Sequence, residues 1–501
     1  MKQAVTGRGE VRHTRVVVIG AGFAGLGMAA GLTRAGRDDF IVLEKAEDVG
    51  GTWRENTYPG CECDVPSALY SYSFEQQAWG GVRASQPEIL RYLRKVSVKY
   101  GLRNKIEFGV EVERGHWDEV DGRWHLFTTT GLEFVAQYLV VGTGALHLPK
   151  VPKTPGAASF GGPAFHSARW DHSVDLTGKR VAVIGTGASA IQMVPELAAV
   201  AGSVQLYQRT PPWVLPRREA GRLARAVGRV PVLRRLVRSL TYWNAELLAV
   251  GLNGRPALTR PMEWRAKRHL RRQVPDPALR AKLTPDYRIG CKRILRSDNY
   301  FPAVARPGTE LIADRIAEIT PDGIVTADGT RRAADVIVYA TGFRVAGSLA
   351  RLPLAGCDGV TLQERWMRDG IRTHLGISVS GLPNAFFLTG PNTGLGHNSV
   401  VFMIEAQVSY ALRAMNLVDR EGANALDVRP EVQAAFHDDL HVRLADGVWS
   451  TGGCRSWYVD ARGVNHSIWP GFSWQYWLRT RRVDRGGHEL LKPPQDSLSG
   501  Q

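Results

Sequence analysis

One pattern limits what this chain can fold into more than any other: an apolar, strand-like run that breaks into closely spaced glycines, and it occurs twice. Residues Arg15–Gly20 read as a buried parallel strand, and Gly20-Ala21-Gly22-Phe23-Ala24-Gly25 follows at once. A helix is expected to about Gly36, and Phe40–Glu44 (FIVLE) makes the next strand. In such a unit the first glycine permits a tight turn and the second lets a pyrophosphate approach the backbone. The third lets helix pack on strand, so that phosphates meet the helix N-terminus. The glycine motif alone is weak evidence, but its place between a strand and a helix, with an acid ending the next strand, makes it specific. The second copy is KRVAVIGTGASA, with Gly185, Gly187 and Ala190, followed by the strand VQLYQR. The expected fold class is α/β, with two Rossmann-like dinucleotide-binding domains and a helical insertion.

One position separates the two copies. Glu44 stands 24 residues after Gly20, and Arg209 stands 24 residues after Gly185. A carboxylate there accepts hydrogen bonds from ribose hydroxyls, as FAD or NAD offers them. A guanidinium there pairs with a ribose 2′-phosphate, which only NADP carries. The plain alternative for Arg209 is a solvated charge at a strand end. Two nucleotide sites, one of them for NADP, imply a flavoprotein reduced by NADPH.

Composition removes several other classes. A chain of 501 residues has room for two or three domains, and 44% hydrophobic with 22% charged residues fits a soluble globular protein. The net charge of +16 raises a nucleic-acid partner, but the excess is Arg scattered along the chain with no nucleic-acid motif, so no such partner is expected. Five Cys without a C-x-x-C argue for a reducing, cytoplasmic compartment and against disulfides. Cys61 and Cys63, one residue apart, suit neither a zinc knuckle nor a dithiol pair, and no metal is expected. Arg8, Arg12 and Arg15 ahead of an apolar run mimic a signal peptide, but the glycine pattern sets that reading aside. No apolar run reaches transmembrane length without glycine punctuation. Oligomeric state is not readable.

Between the motifs, Gly50–Asp64 (GGTWRENTYPGCECD) suits a loop lying along a flavin, with a surface loop as the alternative. Ser85-Gln86-Pro87-Glu88 reads as a capping box opening a helix over Pro87–Tyr100, and short strands are expected around Ile106–Val112 and Trp124–Thr129. Tyr138–Gly144 and Ala334–Phe343 each read as a buried strand ending in Thr-Gly, where the chain crosses between domains. The division that follows is 1–150 and 343–501 for the FAD-binding domain, with 151–342 for the NADP-binding domain. Its helical insert spans 211–289. In that insert Leu223, Val227 and Val230 lie on one helical face and Arg222, Arg225 and Arg229 on another. Eight Arg and one acid fall between Arg217 and Ser239, so two readings stand, a solvated basic face and a peripheral membrane or substrate-entry surface.

The linker between the two nucleotide motifs is unusually rich: FGGPAFHSARWD, Phe160 to Asp171. Phe160-x-Gly162-x-x-x-His166-x-x-x-Trp170-Asp171 resembles the fingerprint of type I Baeyer–Villiger monooxygenases, a family of class B flavoprotein monooxygenases. The flavin-containing N- and S-oxygenating enzymes end the similar motif in Tyr or Phe. GGTW, QRTP, CKR, ATGF and SWY look like the same family, from about Arg15 to Arg482. The resemblance implies FAD reduced by NADPH and O2 adding at flavin C4a. The resulting peroxide anion attacks a ketone to give an ester or lactone.

The same resemblance implies roles. Arg293 in GCKRILRSDNYFP keeps the peroxide charged, because a guanidinium cannot lose its proton. Asp64 fixes that Arg beside the flavin. His166 joins the site as a hinge anchor that coordinates the domains, with a purely structural His as the alternative. Gly20, Gly22, Gly25, Glu44, Lys45, Gly51, Thr52, Trp53, Asp64, Tyr70 and Val112 are expected to contact FAD. Gly185, Thr186, Gly187, Ala188, Ser189 and Gln192 are expected to contact NADP, with Arg209, Thr210 and Lys292 at its 2′-phosphate. Trp457 in CRSWYVD is expected at the nicotinamide or its ribose, or else in the core. The loop inside Leu388–Gln407 is expected at the isoalloxazine, with Asn392 or His397 near the substrate; a plain helix-entry turn is the alternative. Competing activities are N- or S-oxygenation by the same flavin, a pyridine-nucleotide disulfide reductase, and a non-enzymatic binding protein built on the basic insert.

Overall fold

The computed structural model describes residues 10–217, 230–345, 349–460 and 462–492. The expected positions Leu223, Val227, Arg222, Arg225 and Arg229 lie outside the described residues; Val230 lies inside them and is 46% exposed, so it does not face a core.

β1 (Val11–Ile19) leads through the first glycine loop into α1 (Phe23–Arg34) and β2 (Phe40–Glu44). Val16 to Val18 are fully buried, as a strand covered on both faces requires. α1 is rich in small residues for a packing reason. A Cβ on Gly31 would sit 2.7 Å from Val408. α2 (Gln86–Lys99) opens on the expected capping box, the Ser85 N–H donating to Glu88 at 2.9 Å. β3 (Ile106–Phe108), β4 (Val112–Asp118), β5 (Arg123–Thr128) and β6 (Glu133–Val141) complete the first sheet in the order β4-β5-β6-β1-β2-β3. β1 lies parallel to both β2 and β6, so a crevice opens beyond its C-terminal end.

The second unit repeats the plan. β7 (Ala164–His166) precedes β8 (Arg180–Ile184), which turns into α3 (Ala188–Val200) and β9 (Ser203–Tyr207). The segment expected to be a helical insert opens instead on β10 (Val214–Leu215), and this strand later pairs with β11 (Leu295–Arg296). Between them run α4 (Pro231–Leu252) and α5 (Arg260–Gln273). β12 (Thr309–Ile312) joins the second sheet, and β13 (Ile316–Thr320), β14 (Gly323–Thr326) and β15 (Arg331–Ala333) form an antiparallel sheet beside it. With β16 (Val336–Tyr339) the second sheet reads β12-β9-β8-β16-β7. The chain then returns. β17 (Leu354–Ala355) pairs with β4, β18 (Ala385–Phe387) pairs with β6, and α6 (Val400–Arg420) packs on α1. The first sheet is therefore built from both ends of the chain.

Candidate active site

At the end of β1, Gly20 has φ +96°, and its N–H donates to the Leu43 carbonyl at 2.8 Å. A Cβ on Gly25 would fall 1.7 Å from the Gly20 carbonyl oxygen, so helix and strand can approach only here without a side chain. Gly22 caps α1 with no side-chain bond and no acid in the first turn, leaving its N–H groups for an anion. Glu44 is 5% exposed and accepts from Ala21 N at 2.7 Å, which sets its carboxylate beside the glycine turn. Gly50 N donates to Ala21 O at 3.0 Å, and this draws Gly51 and Thr52 over the same turn. Trp53 Nε1 donates to Tyr70 Oη at 3.0 Å, with the rings edge to face at 5.5 Å. Lys45 Nζ lies 2.7 Å from His147 Nε2. The Val112 side chain is buried in the core beyond β2.

The second loop has the same geometry. Gly185 has φ +118°, and a Cβ there would lie 2.4 Å from Ala340 O. A Cβ on Gly187 meets nothing within 4 Å, leaving open space at the start of α3, where Ala188 begins the helix without a side-chain cap. Thr186 Oγ1 donates to Thr210 O at 3.1 Å and ties the loop to the residue after Arg209. Arg209 is exposed. Burial first, and the charge of Arg209 next, pushes the Lys292 ammonium below its usual range. Two cations held close together are the electrostatic form of a phosphate site. Gln192 accepts from Tyr58 Oη at 2.8 Å and donates to Glu62 O at 3.0 Å, so α3 is fastened to the Tyr58–Asp64 segment. Ser189 adds a further contact to Tyr58.

That segment ends at Asp64, which receives Arg293 as a fork. Nη2 donates to Oδ1 at 2.7 Å, Nε bonds Oδ2, and Nη1 reaches the Leu395 carbonyl at 3.2 Å. Burial would raise the Asp64 pKa, but the guanidinium outweighs it and holds the carboxyl below its ordinary range. The Arg293 pKa is raised, chiefly by Asp64. Both side chains line a cavity of about 490 Å3. Its other walls come from α4 (Thr241, Asn244, Ala245, Leu248), from Met262 of α5, and from Gly396, His397 and Asn398.

His397 and Asn398 thus reach the cavity, whereas Asn392 does not. Asn392 is 5% exposed and donates to Asn465 O and Ile468 O at 2.8 and 3.2 Å, so it fixes the loop from behind. His166 is not on the cavity wall. Its Nδ1 accepts from Ala168 N at 3.1 Å, its ring meets Phe343 edge-on at 5.6 Å, and burial lowers its pKa. It therefore sits where the chain leaves β16 for the first sheet. Trp457 is not a core residue; it is 48% exposed, with its ring 4.4 Å from that of Tyr458.

Two features were not read from the sequence. Glu246, the lone acid of α4, is 2% exposed and accepts from Asn398 Nδ2 and Ser473 Oγ, both at 2.6 Å, with His397 Nε2 at 3.3 Å. A single acid in an apolar and basic helix was the available signal. The second feature corrects the cysteine reading. Cys291 and Cys454 form a disulfide across 163 residues, with Cα atoms 6.1 Å apart. It joins the residues just before Lys292 and Arg293 to the loop carrying Trp457.

Over 495 residues the chain is 44% identical to a Baeyer–Villiger monooxygenase of Pseudomonas aeruginosa, covering 98% of this chain and 94% of that protein. The chain belongs to the Baeyer–Villiger monooxygenase family. A Streptomyces coelicolor Baeyer–Villiger monooxygenase is 46% identical over 488 residues, 96% of this chain and 93% of the other. Among solved structures, oxidized steroid monooxygenase bound to NADP superposes with a TM-score of 0.84 at 31% identity, covering 96% of this chain and all of that one. Closed cyclohexanone monooxygenase gives 0.86 at 26% identity, with the same coverage. A family model described as pyridine nucleotide-disulphide oxidoreductase matches residues 17–221, the part holding both glycine loops. Kinship over nearly the whole chain decides for the monooxygenase over the disulfide reductase.

Proposed function

We propose that this Baeyer–Villiger monooxygenase uses NADPH, FAD and O2 to insert one oxygen atom beside the carbonyl of a small ketone, giving an ester or lactone. The observation that carries the reading is the Asp64–Arg293 fork on the wall of a cavity large enough for such a ketone. Bound FAD, reduced by NADPH, supplies the electrons that activate O2. Gly20, Gly22, Gly25, Gly51 and Thr52 hold the FAD diphosphate and Glu44 its ribose. Lys45, Trp53, Tyr70 and the Val112 backbone border the same groove. Gly185, Thr186, Gly187, Ala188, Ser189 and Gln192 receive the NADP diphosphate, and Arg209, Thr210 and Lys292 its 2′-phosphate. Trp457 lies at the nicotinamide end. In this reading the FAD domain comprises residues 1–150 and 343–501 and encloses an NADP domain over 151–342.

Within the cavity Arg293 holds a fixed positive charge where negative charge gathers on the reacting oxygen, and Asp64 keeps the guanidinium from swinging away. Met262, Leu248 and Leu69 exclude water and receive the apolar part of the ketone. His166 acts through the interdomain crossing, as a positioning residue. A reaction that consumes NADPH needs a compartment that regenerates it, so we assign the enzyme to the cytoplasm. The test is turnover of linear, cyclic and aromatic ketones under isotopically heavy O2. The expected product is an ester or lactone carrying one heavy oxygen. No labelled ester from any ketone, with label entering an amine and a sulfide supplied in parallel, would assign the chemistry to N- or S-oxygenation instead.

A further inference from the structure

α4 is amphipathic the wrong way round for a helix at the surface of a soluble protein. Val232, Leu236, Leu240, Trp243 and Leu247 follow one another at helical spacing and are 72%, 55%, 62%, 55% and 70% exposed. The exposure is not that of a detached helix, because the opposite face is pinned. Arg238 donates to Ala68 O at 2.7 Å, Tyr242 Oη lies 3.0 Å from Ser473 Oγ, and Glu246 is buried in the hydrogen bonds described above. Trp264 on α5 is also 56% exposed. A continuous row of this kind marks a surface that meets something apolar.

The charge of the segment that carries the row identifies what it meets. From Pro231 to Gln273 the sequence holds ten Arg and Lys and two Glu. Of those two, Glu246 is buried and Glu263 pairs with Arg288 at 2.9 Å. Arg265, Lys267, Arg268, Arg271 and Arg272 of α5 are exposed. A second copy of this chain would bring the same cations against one another, whereas an anionic lipid surface offers hydrocarbon for the apolar row and phosphates for the rim. No helix among the described residues is long and apolar enough to cross a membrane, so contact is with the surface only.

We propose that the enzyme docks on anionic membranes through the outer face of α4. The inner face of the same helix lines the ketone cavity through Thr241, Asn244, Ala245 and Leu248, and Arg265 of α5 also borders it. Docking therefore brings the cavity to the lipid boundary, where apolar ketones concentrate. The docking itself does not depend on the ketone reading, and the binding measurement that tests it needs no turnover.

The FAD-loaded enzyme is sedimented with vesicles of phosphatidylcholine plus phosphatidylglycerol and with vesicles of phosphatidylcholine alone. It is expected to sediment with the anionic vesicles, to be released by high salt, and to show a blue-shifted Trp emission that is reduced in Trp243→Phe. Leu240→Glu and Leu247→Glu should weaken anionic-vesicle binding at least about tenfold, the effect of one charge placed in a hydrocarbon contact. Both residues lie off the cavity wall, so flavin content and NADPH oxidation with a water-soluble ketone should match the parent and show that the variants fold. Failure of the parent to sediment with anionic vesicles would overturn the proposal, as would equal sedimentation with phosphatidylcholine alone. A dimer in ultracentrifugation that Leu240→Glu converts to monomer would overturn it in favour of a second copy.

Discussion

Arg293 is held by three directed hydrogen bonds, two to Asp64 and one to the Leu395 carbonyl, so its charge is fixed in place as well as in sign. Arg293→Ala should leave reduction of the flavin by NADPH intact while abolishing ester formation. Stopped-flow flavin absorbance and product mass spectra separate the two, and retained ester would remove the assigned role. The charge of Arg209 disfavours the charged form of Lys292, which a bound dianion would relieve. Arg209→Ala should weaken NADPH by roughly 1.5–3 kcal/mol, the value of a charge-assisted pair, and leave NADH nearly unchanged. An unaltered NADPH/NADH preference would contradict the phosphate assignment. Arg209 was legible because it stands at a fixed offset from its glycine turn, whereas Arg293 and Lys292 were assigned only through the resemblance of the CKR segment to the family. Asn392 and His397 stood as alternatives because the sequence shows that a loop carries Asn and His but not which of them faces inward; it is His397 that reaches the cavity.

Among the elements, the strand–glycine–helix units were read in kind and order, Phe40–Glu44 with the bounds it has in the fold, while the first strand begins four residues earlier than expected, at Val11. Periodicity and turn chemistry are local, and so is the geometry they dictate. Glu246 shows where that ends, since its partner Asn398 is 152 residues away and no spacing announces the contact. Glu246→Gln keeps the shape but loses the charge that His397 and Ser473 face. The KM for ketone should rise, with the NADPH-dependent flavin reduction rate unchanged, and a change in flavin reduction alone would refute an anchoring role. Asp427, in the strand Ala425–Val428, offers a pH test. Burial pushes its carboxyl up to about 7, Oδ2 accepts from Gly381 N at 2.8 Å, and Oδ1 has no partner among the described residues. The folded state therefore keeps a proton that the unfolded chain releases near pH 4, so this group lowers stability as pH rises from about 4 to about 7. Asp427→Asn should melt higher than the parent at pH 8, with the gap closing towards pH 4.

For the whole molecule, the two sheets were foreseen, but the covalent tie between distant parts was not. Counting cysteines indicates a reducing compartment, but only the folded chain brings Cys291 to Cys454. That bond fastens the base of the Arg293 segment to the Trp457 loop. Cys454→Ser should raise the KM for NADPH while FAD stays bound, and should cost roughly 2–4 kcal/mol of stability, the usual range for a disulfide closing a long loop. Chemical denaturation and NADPH titration measure both. The same closed loop has a consequence at the bench. A protease that cuts the chain once anywhere between Lys292 and Gly453 yields two pieces that still migrate as one band, until a thiol added to the gel sample lets them separate.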